Sequence, residues 1–310
     1  MRKIKFLFIF LTILLSFQSS NALENKILFK VDNEIITTLD IYEEIKFLKA
    51  FNPEVNGLDK TELFEISKNS ILRNTIKKIE IMNIVEELKI DDKFLSKLIK
   101  SKYSKIGLDS LEKFEIYSRD KNLDLELIKE KFIIELIWND YIYKKFYDKV
   151  VIDREKIKNE ILQNPQKGKQ KEFLLSEISF NATDKIDIKN KYDKIISDIN
   201  KLGFKKTALK HSNSETASDG GLIGWVKQDN LNLTIKKIIS TLRIGQVSEP
   251  IRTSSGFIIL KIEDEKEYVS KFSIDEKVEE IVKFKTNDQL SQFSNMHFNK
   301  IKKNIIINDL

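Results

Sequence analysis

Residues Gly245–Ile262 read GQVSEPIRTSSGFIILKI, in which turn-forming residues separate short apolar runs. A glycine and a proline punctuate the first half, and Gly256 precedes the apolar run Phe257–Leu260. This pattern predicts two antiparallel strands joined by a Thr-Ser-Ser-Gly turn. Just upstream, the segment DGGLIGW starts at Asp219 and predicts a glycine-rich turn that leads into another short strand. The stretch is therefore expected to belong to a small antiparallel sheet.

The segments around this stretch follow a recognisable order. An amphipathic helix is predicted at Leu231–Leu242, between the glycine turn and the two strands. Upstream, Phe173–Phe180 alternates like a strand, and helices are predicted at Asp184–Leu202 and Gly203–His211. The β-α-α-β-α-β-β order over residues 170–265, with its GGxxGW, GxVSxPI and GFxIL phrases, resembles a parvulin-type peptidyl-prolyl isomerase domain.

The N-terminus has the composition of a targeting segment. Residues 1–5 carry three positive charges, Phe6–Leu15 is almost entirely apolar, and Ser20-Asn21-Ala22 brings small residues to a cleavage position. This is typical of a secretory signal peptide over residues 1–22. A membrane anchor would need ~20 apolar residues, and polar side chains return from Ser16 onward. We expect a cleaved signal and no transmembrane anchor.

The segment after the predicted signal is helical in pattern. It opens with VDNEIITTLDIYEEI from Val31, which predicts a hairpin turning at Asp32-Asn33 and a helix from Leu39 capped by Thr37 or Thr38. Further helices are predicted from their apolar spacing, and a linker is predicted at Asn164-Pro165 with Gly168. The predicted helices are Lys60–Leu88, Asp91–Tyr103, Leu108–Tyr117, Asp124–Tyr147, Asp153–Gln163 and Asp275–Asn295.

The opening phrase, the predicted signal and the parvulin-like unit together resemble the SurA family of periplasmic chaperones. The resemblance implies an α+β fold in which a mainly helical domain, residues 23–165, is followed by one parvulin-like domain, residues 170–265, with a small antiparallel sheet flanked by helices. Residues 270–310 would pack back on the helical domain and complete it. Ile305-Ile306-Ile307 is suited to pairing with Ile27–Val31.

The resemblance also implies a set of site residues. A prolyl isomerase needs no nucleophile, but it must hold the proline ring in an apolar pocket beside polar groups that weaken the double-bond character of the amide. Parvulins place two histidines, an Asp or Cys, and a Ser or Thr in the polar cluster. The matching positions here are Glu177 and Ile258 for the histidines, Ser214 for the Asp or Cys, and Ser255 for the Ser or Thr.

Only Ser255 keeps the residue type of the family, so isomerase activity is expected to be weak or absent. The apolar pocket is assigned to Leu231 and Ile235, and Ile235 stands where phenylalanine is usual. Phe257 and Trp225 are further substrate-binding candidates.

The amino-acid composition excludes or disfavours several kinds of functional site. The chain has no cysteine, which excludes disulfides, a thiolate nucleophile and zinc–thiolate sites. Its two histidines, His211 and His297, are far apart in sequence and neither has a nearby carboxylate pair at ligand spacing, so neither a metal site nor a catalytic triad is expected. No cofactor is expected either. The formal charge of +6 includes the N-terminal cations and is spread evenly, which does not favour nucleic acid.

The favoured hypothesis is a periplasmic chaperone that holds unfolded precursors of outer-membrane β-barrels in a groove between the two domains. An active prolyl isomerase for secreted proteins is the alternative. A structural envelope protein with one folded partner is a third possibility, and the oligomeric state is left open.

Overall fold

The computed structural model describes residues 25–163, 169–269 and 273–309, and it begins with the expected hairpin. Strand β1, Ile27–Val31, pairs antiparallel with β2, Glu34–Thr37. Asp32 takes a positive φ of 51° in the turn between them, a conformation that short polar side chains tolerate. The predicted signal peptide, the predicted linker at Asn164-Pro165 and Gly168 lie outside the described residues.

The first helix, α1, spans Thr38–Phe51 and is capped by Thr37 rather than Thr38. The Thr37 hydroxyl accepts a hydrogen bond from Asp40 N at 3.4 Å, and Asp40 Oδ2 accepts one from Thr37 N at 2.7 Å. This reciprocal pair satisfies two main-chain donors that the first turn of a helix leaves unpaired. The helix therefore starts one residue earlier than the apolar pattern alone predicts.

Five more helices follow: α2 Lys60–Met82, α3 Asp92–Tyr103, α4 Leu111–Asp120, α5 Leu125–Phe146 and α6 Arg154–Gln163. The prediction that the second helix continues to Leu88 is wrong, because it ends at Met82 with Asn83 as its C-cap. Leu88 still packs against the core of the first half from a non-helical segment. Leu88 packs against this core at a position that fits helical spacing, so the sequence pattern appeared to continue the helix beyond Met82.

The second half is built on a four-stranded antiparallel sheet of β3 Lys169–Phe180, β4 Leu222–Lys227, β5 Ile251–Thr253 and β6 Gly256–Val269, with strand order β4-β3-β6-β5. The register pairs Ser179 with Ile258 and Glu177 with Leu260. Two helices, α7 Lys185–Leu202 and α8 Phe204–His211, connect β3 to β4, and helix α9, Leu233–Thr241, follows β4.

The two faces of this sheet bury different clusters. Phe173 and Leu175 pack with Ile239 of α9, whereas Ile178 and Phe180 pack against residues of α7 and α8. Successive residues of a strand point to opposite faces. Glu177 therefore shares the α9 side of the sheet, away from α7 and α8.

The glycine-rich turn before β4 lies against β3. Gly221 has φ +83°, and its carbonyl oxygen accepts a hydrogen bond of 2.8 Å from Glu177 N. A Cβ atom added to Gly221 would lie 2.2 Å from the main-chain oxygen of Glu177. Glycine is required here both for the backbone conformation and for the close approach.

The C-terminal segment returns to the first half. Helix α10, Ile274–Lys302, is seven residues longer at its C-terminal end than the predicted Asp275–Asn295. Strand β7, Ile307–Asp309, pairs antiparallel with β1, so that Ile307 lies opposite Val31. The pairing strand thus lies two residues later than the predicted Ile305-Ile306-Ile307.

The core of the first half forms around Trp138 of α5. It is fully buried and belongs to the same cluster as Phe29 and Val31 of β1 and Phe298 of α10. Helix α10 therefore shares one core with elements more than 150 residues earlier in the chain. None of the described helices is both long and apolar enough to cross a lipid bilayer.

Candidate functional site

A cleft of about 1570 Å³ separates the α9 side of the four-stranded sheet from helices α6 and α10. We call it the central cleft. On the sheet side it is lined by Glu177 and Ile258, and by Leu231 just before α9. On the opposite side it is lined by Ile157 of α6 and Phe284 of α10. The cleft is therefore a space between the second half of the chain and helices that belong to the first half and the C-terminal segment.

The central cleft brings together most of the site residues expected from the sequence. Its lining includes Glu177, Leu231, Ile235, Ser255 and Ile258. All five are half-buried, so their side chains are neither sealed in a core nor fully solvated.

Three predicted site residues lie outside this lining. Ser214 is buried and does not line the cleft, but its hydroxyl is hydrogen-bonded to that of Thr216, which does. Phe257 stacks on Phe180 with ring centroids 5.7 Å apart, in the cluster beneath α7 and α8. Trp225 is 37% exposed, with Lys266 Nζ 3.9 Å from its ring centroid. The positions of Phe257 and Trp225 do not fit a direct substrate contact in this cleft, because alternation along each strand turns them away from the cluster that faces it.

A chain of hydroxyl groups runs from Glu177 into the body of the domain. Thr216 Oγ1 donates to Glu177 Oε1 at 3.0 Å, and the next hydroxyl, on Ser214, is 2.7 Å from Thr216 Oγ1. Ser212 Oγ follows at 2.9 Å from Ser214 Oγ and accepts a hydrogen bond of 3.0 Å from Ser179 N. We call these four side chains, on Glu177, Thr216, Ser214 and Ser212, the polar chain.

The environment of Glu177 favours its neutral form. Burial raises the pKa of the Glu177 carboxyl above its ordinary value, while hydrogen bonds from Thr216 and Ser214 lower it in part. The nearby negative charges of Asp288 and Glu215 add to the rise in pKa. A carboxyl that keeps its proton at higher pH can donate a hydrogen bond as well as accept one.

An arginine from the first half of the chain binds the main chain of the loop that carries Ser212 and Ser214. Arg73 of α2 donates from Nη1 to the main-chain oxygens of Asn213 and Ser214 at 3.1 and 2.7 Å, and from Nη2 to that of Ser212 at 2.6 Å. Burial lowers the pKa of Arg73 to about 10, which leaves the guanidinium protonated at neutral pH. Helix α2 therefore fixes the loop on which the polar chain is built.

A second, smaller cavity of about 500 Å³ lies on the Arg73 side of that loop. Aromatic side chains line one part of it, and cations line the rest: Phe47, Phe51, Tyr103, Phe132, Lys77, Lys102 and Lys131. The deep lysines have acidic partners. Lys102 Nζ is 3.1 Å from Glu135, and Lys131 Nζ is 2.6 Å from Glu44. These two lysines are therefore paired, but the lining as a whole holds more cationic than acidic side chains.

The two histidines occupy separate places. His211 Nε2 is 2.5 Å from Asp198 Oδ2, and His297 Nε2 is 2.9 Å from Glu80 Oε1. Within the described ranges, no group of three or more His, Cys, Asp or Glu side chains is arranged to hold a metal ion.

Helix α10 supplies cleft residues that the sequence did not single out. Lys277, Ile281, Phe284, Asp288 and Asn295 all line the central cleft. They recur at helical intervals and so form one face of the helix. That periodicity is present in the sequence, but nothing local indicates that this face meets the four-stranded sheet.

Comparisons with known proteins find sequence similarity to one domain family and to a class of chaperones. The Rotamase family model, a PPIC-type PPIASE domain, matches residues 159–264. Chaperone SurA of Pseudomonas putida is 26% identical over 187 residues, which cover 58% of this chain and 44% of the relative. Chaperone SurA of Pseudomonas aeruginosa is also 26% identical, over 210 residues that cover 63% of this chain and 50% of the relative. The matched part of the chain thus spans about half the length of these curated relatives.

Solved structures give weaker likenesses. A SurA-like chaperone structure from Campylobacter jejuni covers 92% of this chain and 99% of its own, with 17% identity and a TM-score of 0.37. Peptidylprolyl isomerase PrsA from Bacillus anthracis covers 77% of this chain and 98% of its own, with 18% identity and a TM-score of 0.31. The relationship therefore rests on the sequence matches.

Proposed function

We propose that this chain, which is a SurA-like protein with a PPIC-type domain, is a periplasmic chaperone that binds unfolded polypeptides in the central cleft. Residues 1–22 would be its secretory signal. Residues 23–165, completed by 270–310, would form the helical chaperone domain, and residues 170–265 the parvulin-like domain.

The observation that carries this proposal is the lining of the central cleft. It combines half-buried apolar side chains, such as Leu231, Ile235 and Ile258, with polar groups that can bond to a main chain. An unfolded segment offers both apolar side chains and unpaired amides, so a mixed cleft of this size can accept many sequences. Precursors of outer-membrane β-barrels fit as clients, because their strands carry alternating apolar residues that aggregate when uncovered.

The isomerase activity of the domain is proposed to be weak. An apolar side chain, Ile258, stands where the family resemblance implies a histidine, and Glu177 stands at the other histidine position. One observation favours the alternative of an active isomerase: burial raises the pKa of Glu177. A protonated carboxyl beside an apolar pocket could donate to a prolyl amide while water is excluded.

Suppression of aggregation tests the chaperone proposal. An urea-unfolded outer-membrane β-barrel protein would be diluted into buffer with the wild-type mature chain, and light scattering would be followed. We expect wild type to lower the scattering and Ile235→Glu, which puts a charge in the cleft, to lose most of this effect. Ile186→Glu is the matched control, since Ile186 is 74% exposed on α7 and does not line the cleft. Equal protection by Ile235→Glu and wild type would place client binding elsewhere.

A further inference from the structure

We propose that Phe284 of α10 is a substrate-binding residue that provides the aromatic wall of a proline pocket in the central cleft. The aliphatic walls of this pocket are Leu231, Ile235 and Ile258 from the PPIC-type domain. The inference rests on the proposed function in one respect, namely that the cleft binds unfolded chain. It assigns part of the recognition to a helix that lies outside the PPIC-type match at residues 159–264.

The contacts of Phe284 place it at this pocket. Its half-buried ring packs against the sheet-side cluster in which Leu231, Ile235 and Ile258 are also only partly buried. All four side chains line the central cleft. Among the described residues of that lining, Phe284 is the one aromatic side chain. The ring therefore closes an otherwise aliphatic hollow while part of it stays open to the cleft.

Polar contacts on both sides of Phe284 fix α10 against the domain. One turn earlier, Glu280 Oε2 is 2.6 Å from Lys227 Nζ. Two turns earlier, Lys277 Nζ is 2.5 Å from Asp229 Oδ2. Two turns later, Gln292 on the same helix accepts a hydrogen bond from the Ser254 hydroxyl. A ring held between these contacts loses little freedom when a ligand binds, which favours affinity.

The chemistry of the pocket selects proline among the residues of an unfolded chain. A prolyl ring is compact and apolar, and its nitrogen has no hydrogen to donate. Grooves lined by aromatic side chains are a recurrent way to bind such residues, since the flat ring face contacts the pyrrolidine ring over its whole area. Aliphatic walls alone would accept Val, Leu or Ile equally well, so the discrimination is assigned to the ring of Phe284.

Fluorescence anisotropy with a pair of labelled, unstructured peptides tests this. The peptides share one apolar sequence and differ in a single central residue, which is proline in one and alanine in the other. We expect the mature wild-type chain to bind the proline peptide more tightly than its alanine twin. Phe284→Ala and Phe284→Leu should weaken binding of the proline peptide roughly two- to tenfold, which is the contribution of one aromatic contact. Binding of the alanine peptide should stay unchanged. Phe284→Tyr should keep the preference.

The matched control is Phe293→Ala on the same helix. Phe293 is also half-buried, but it stacks on Phe146 of α5 at 5.2 Å and does not line the cleft. This variant should bind both peptides as wild type does.

Three outcomes overturn the inference. If wild type and Phe284→Ala show the same preference for proline, Phe284 does not recognise the ring, although the chaperone proposal survives. If Phe284→Ala binds both peptides more tightly than wild type, the ring blocks the pocket instead of forming it. If wild type binds neither peptide, the cleft is not a peptide site, and the proposed function fails together with the inference.

Discussion

Arg73 and Ser212 lie 139 residues apart in sequence, and Arg73 Nη2 donates a 2.6 Å hydrogen bond to the main-chain oxygen of Ser212. Two more hydrogen bonds from the same guanidinium reach the oxygens of Asn213 and Ser214. One planar group thus satisfies three consecutive main-chain acceptors of a loop in the PPIC-type domain. A side chain of the helical half therefore shapes the polar chain behind the central cleft.

Replacing Arg73 by methionine should lower the free energy of unfolding by about 3 kcal/mol, because the carbonyl oxygens it serves lose charged donors while partly buried. Arg73→Lys should recover only part of this, since an ammonium group cannot reproduce the planar fork. Urea unfolding followed by circular dichroism measures both. Arg119→Met, a change at an exposed arginine near the end of α4, is the control. Equal losses of stability for Arg73→Met and Arg119→Met would contradict a stabilising role for the three hydrogen bonds from Arg73.

Two glycines of the same turn region should respond differently to alanine. Gly221 and Gly224 both have positive φ, +83° and +102°, so each substitution strains the backbone by about 1 kcal/mol. Only at Gly221 would the new Cβ meet the main-chain oxygen of Glu177, whereas nothing lies within 4 Å at Gly224. Gly221→Ala should therefore cost a further 1–3 kcal/mol or so. Similar melting temperatures for the two variants would refute this packing argument.

The stability contributed by Glu177 should depend on pH. Burial raises its folded-state pKa above the ordinary value of 4.5, so the folded protein keeps this proton to higher pH than the unfolded chain does. The free energy of unfolding then falls as pH rises above 4.5, until the folded carboxyl is ionised.

Glu177→Gln removes that dependence and keeps an acceptor for Thr216. The variant should therefore gain stability relative to wild type between about pH 4 and about pH 8, as measured by urea unfolding at both values. The same trend in Glu86→Gln, an exposed site with the same change of charge, would show that the effect does not come from the buried carboxyl.

Trp138 should be far less replaceable than Trp225. Trp138 is fully buried and its Nε1 donates to Ser294 Oγ at 2.8 Å, which ties α5 to α10. Trp138→Phe loses this bond and leaves a cavity, at an expected cost of about 2 kcal/mol. Trp225→Phe, at a site 37% exposed, is the matched control and should change stability little. Chemical denaturation of the two variants decides the comparison.

The wild-type chain should accelerate prolyl isomerisation little. The uncatalysed reaction takes tens of seconds or longer at about 25 °C. The cis-to-trans rate of a Xaa-Pro peptide would be compared between the mature wild-type chain and the double variant Glu177→His with Ile258→His. Both side chains line the central cleft, so the variant places two imidazoles in one site. We expect it to be faster than wild type. Clear acceleration by wild type would instead favour the active isomerase, with desolvation in this pocket sufficient for catalysis.

Local rules predicted elements in both halves of the chain. The turn at Asp32-Asn33, the cap at Thr37 and the strand and helix order from β3 to β6 follow from residues close in sequence. Errors occurred where a distant contact overrides local spacing. Helix α2 stops at Met82 although Leu88 continues the apolar pattern, because Leu88 reaches the same core without a helical backbone.

The sequence by itself determined the α+β class and the order of strands and helices along the second half of the chain, since these follow from short-range periodicity and turn chemistry. Only the tertiary structure decided that Phe284 faces the central cleft and that Trp225 and Phe257 do not line it. The reason is physical: which face of α10 meets the sheet depends on contacts such as Glu280 with Lys227, between residues 53 positions apart. No local pattern encodes such a contact.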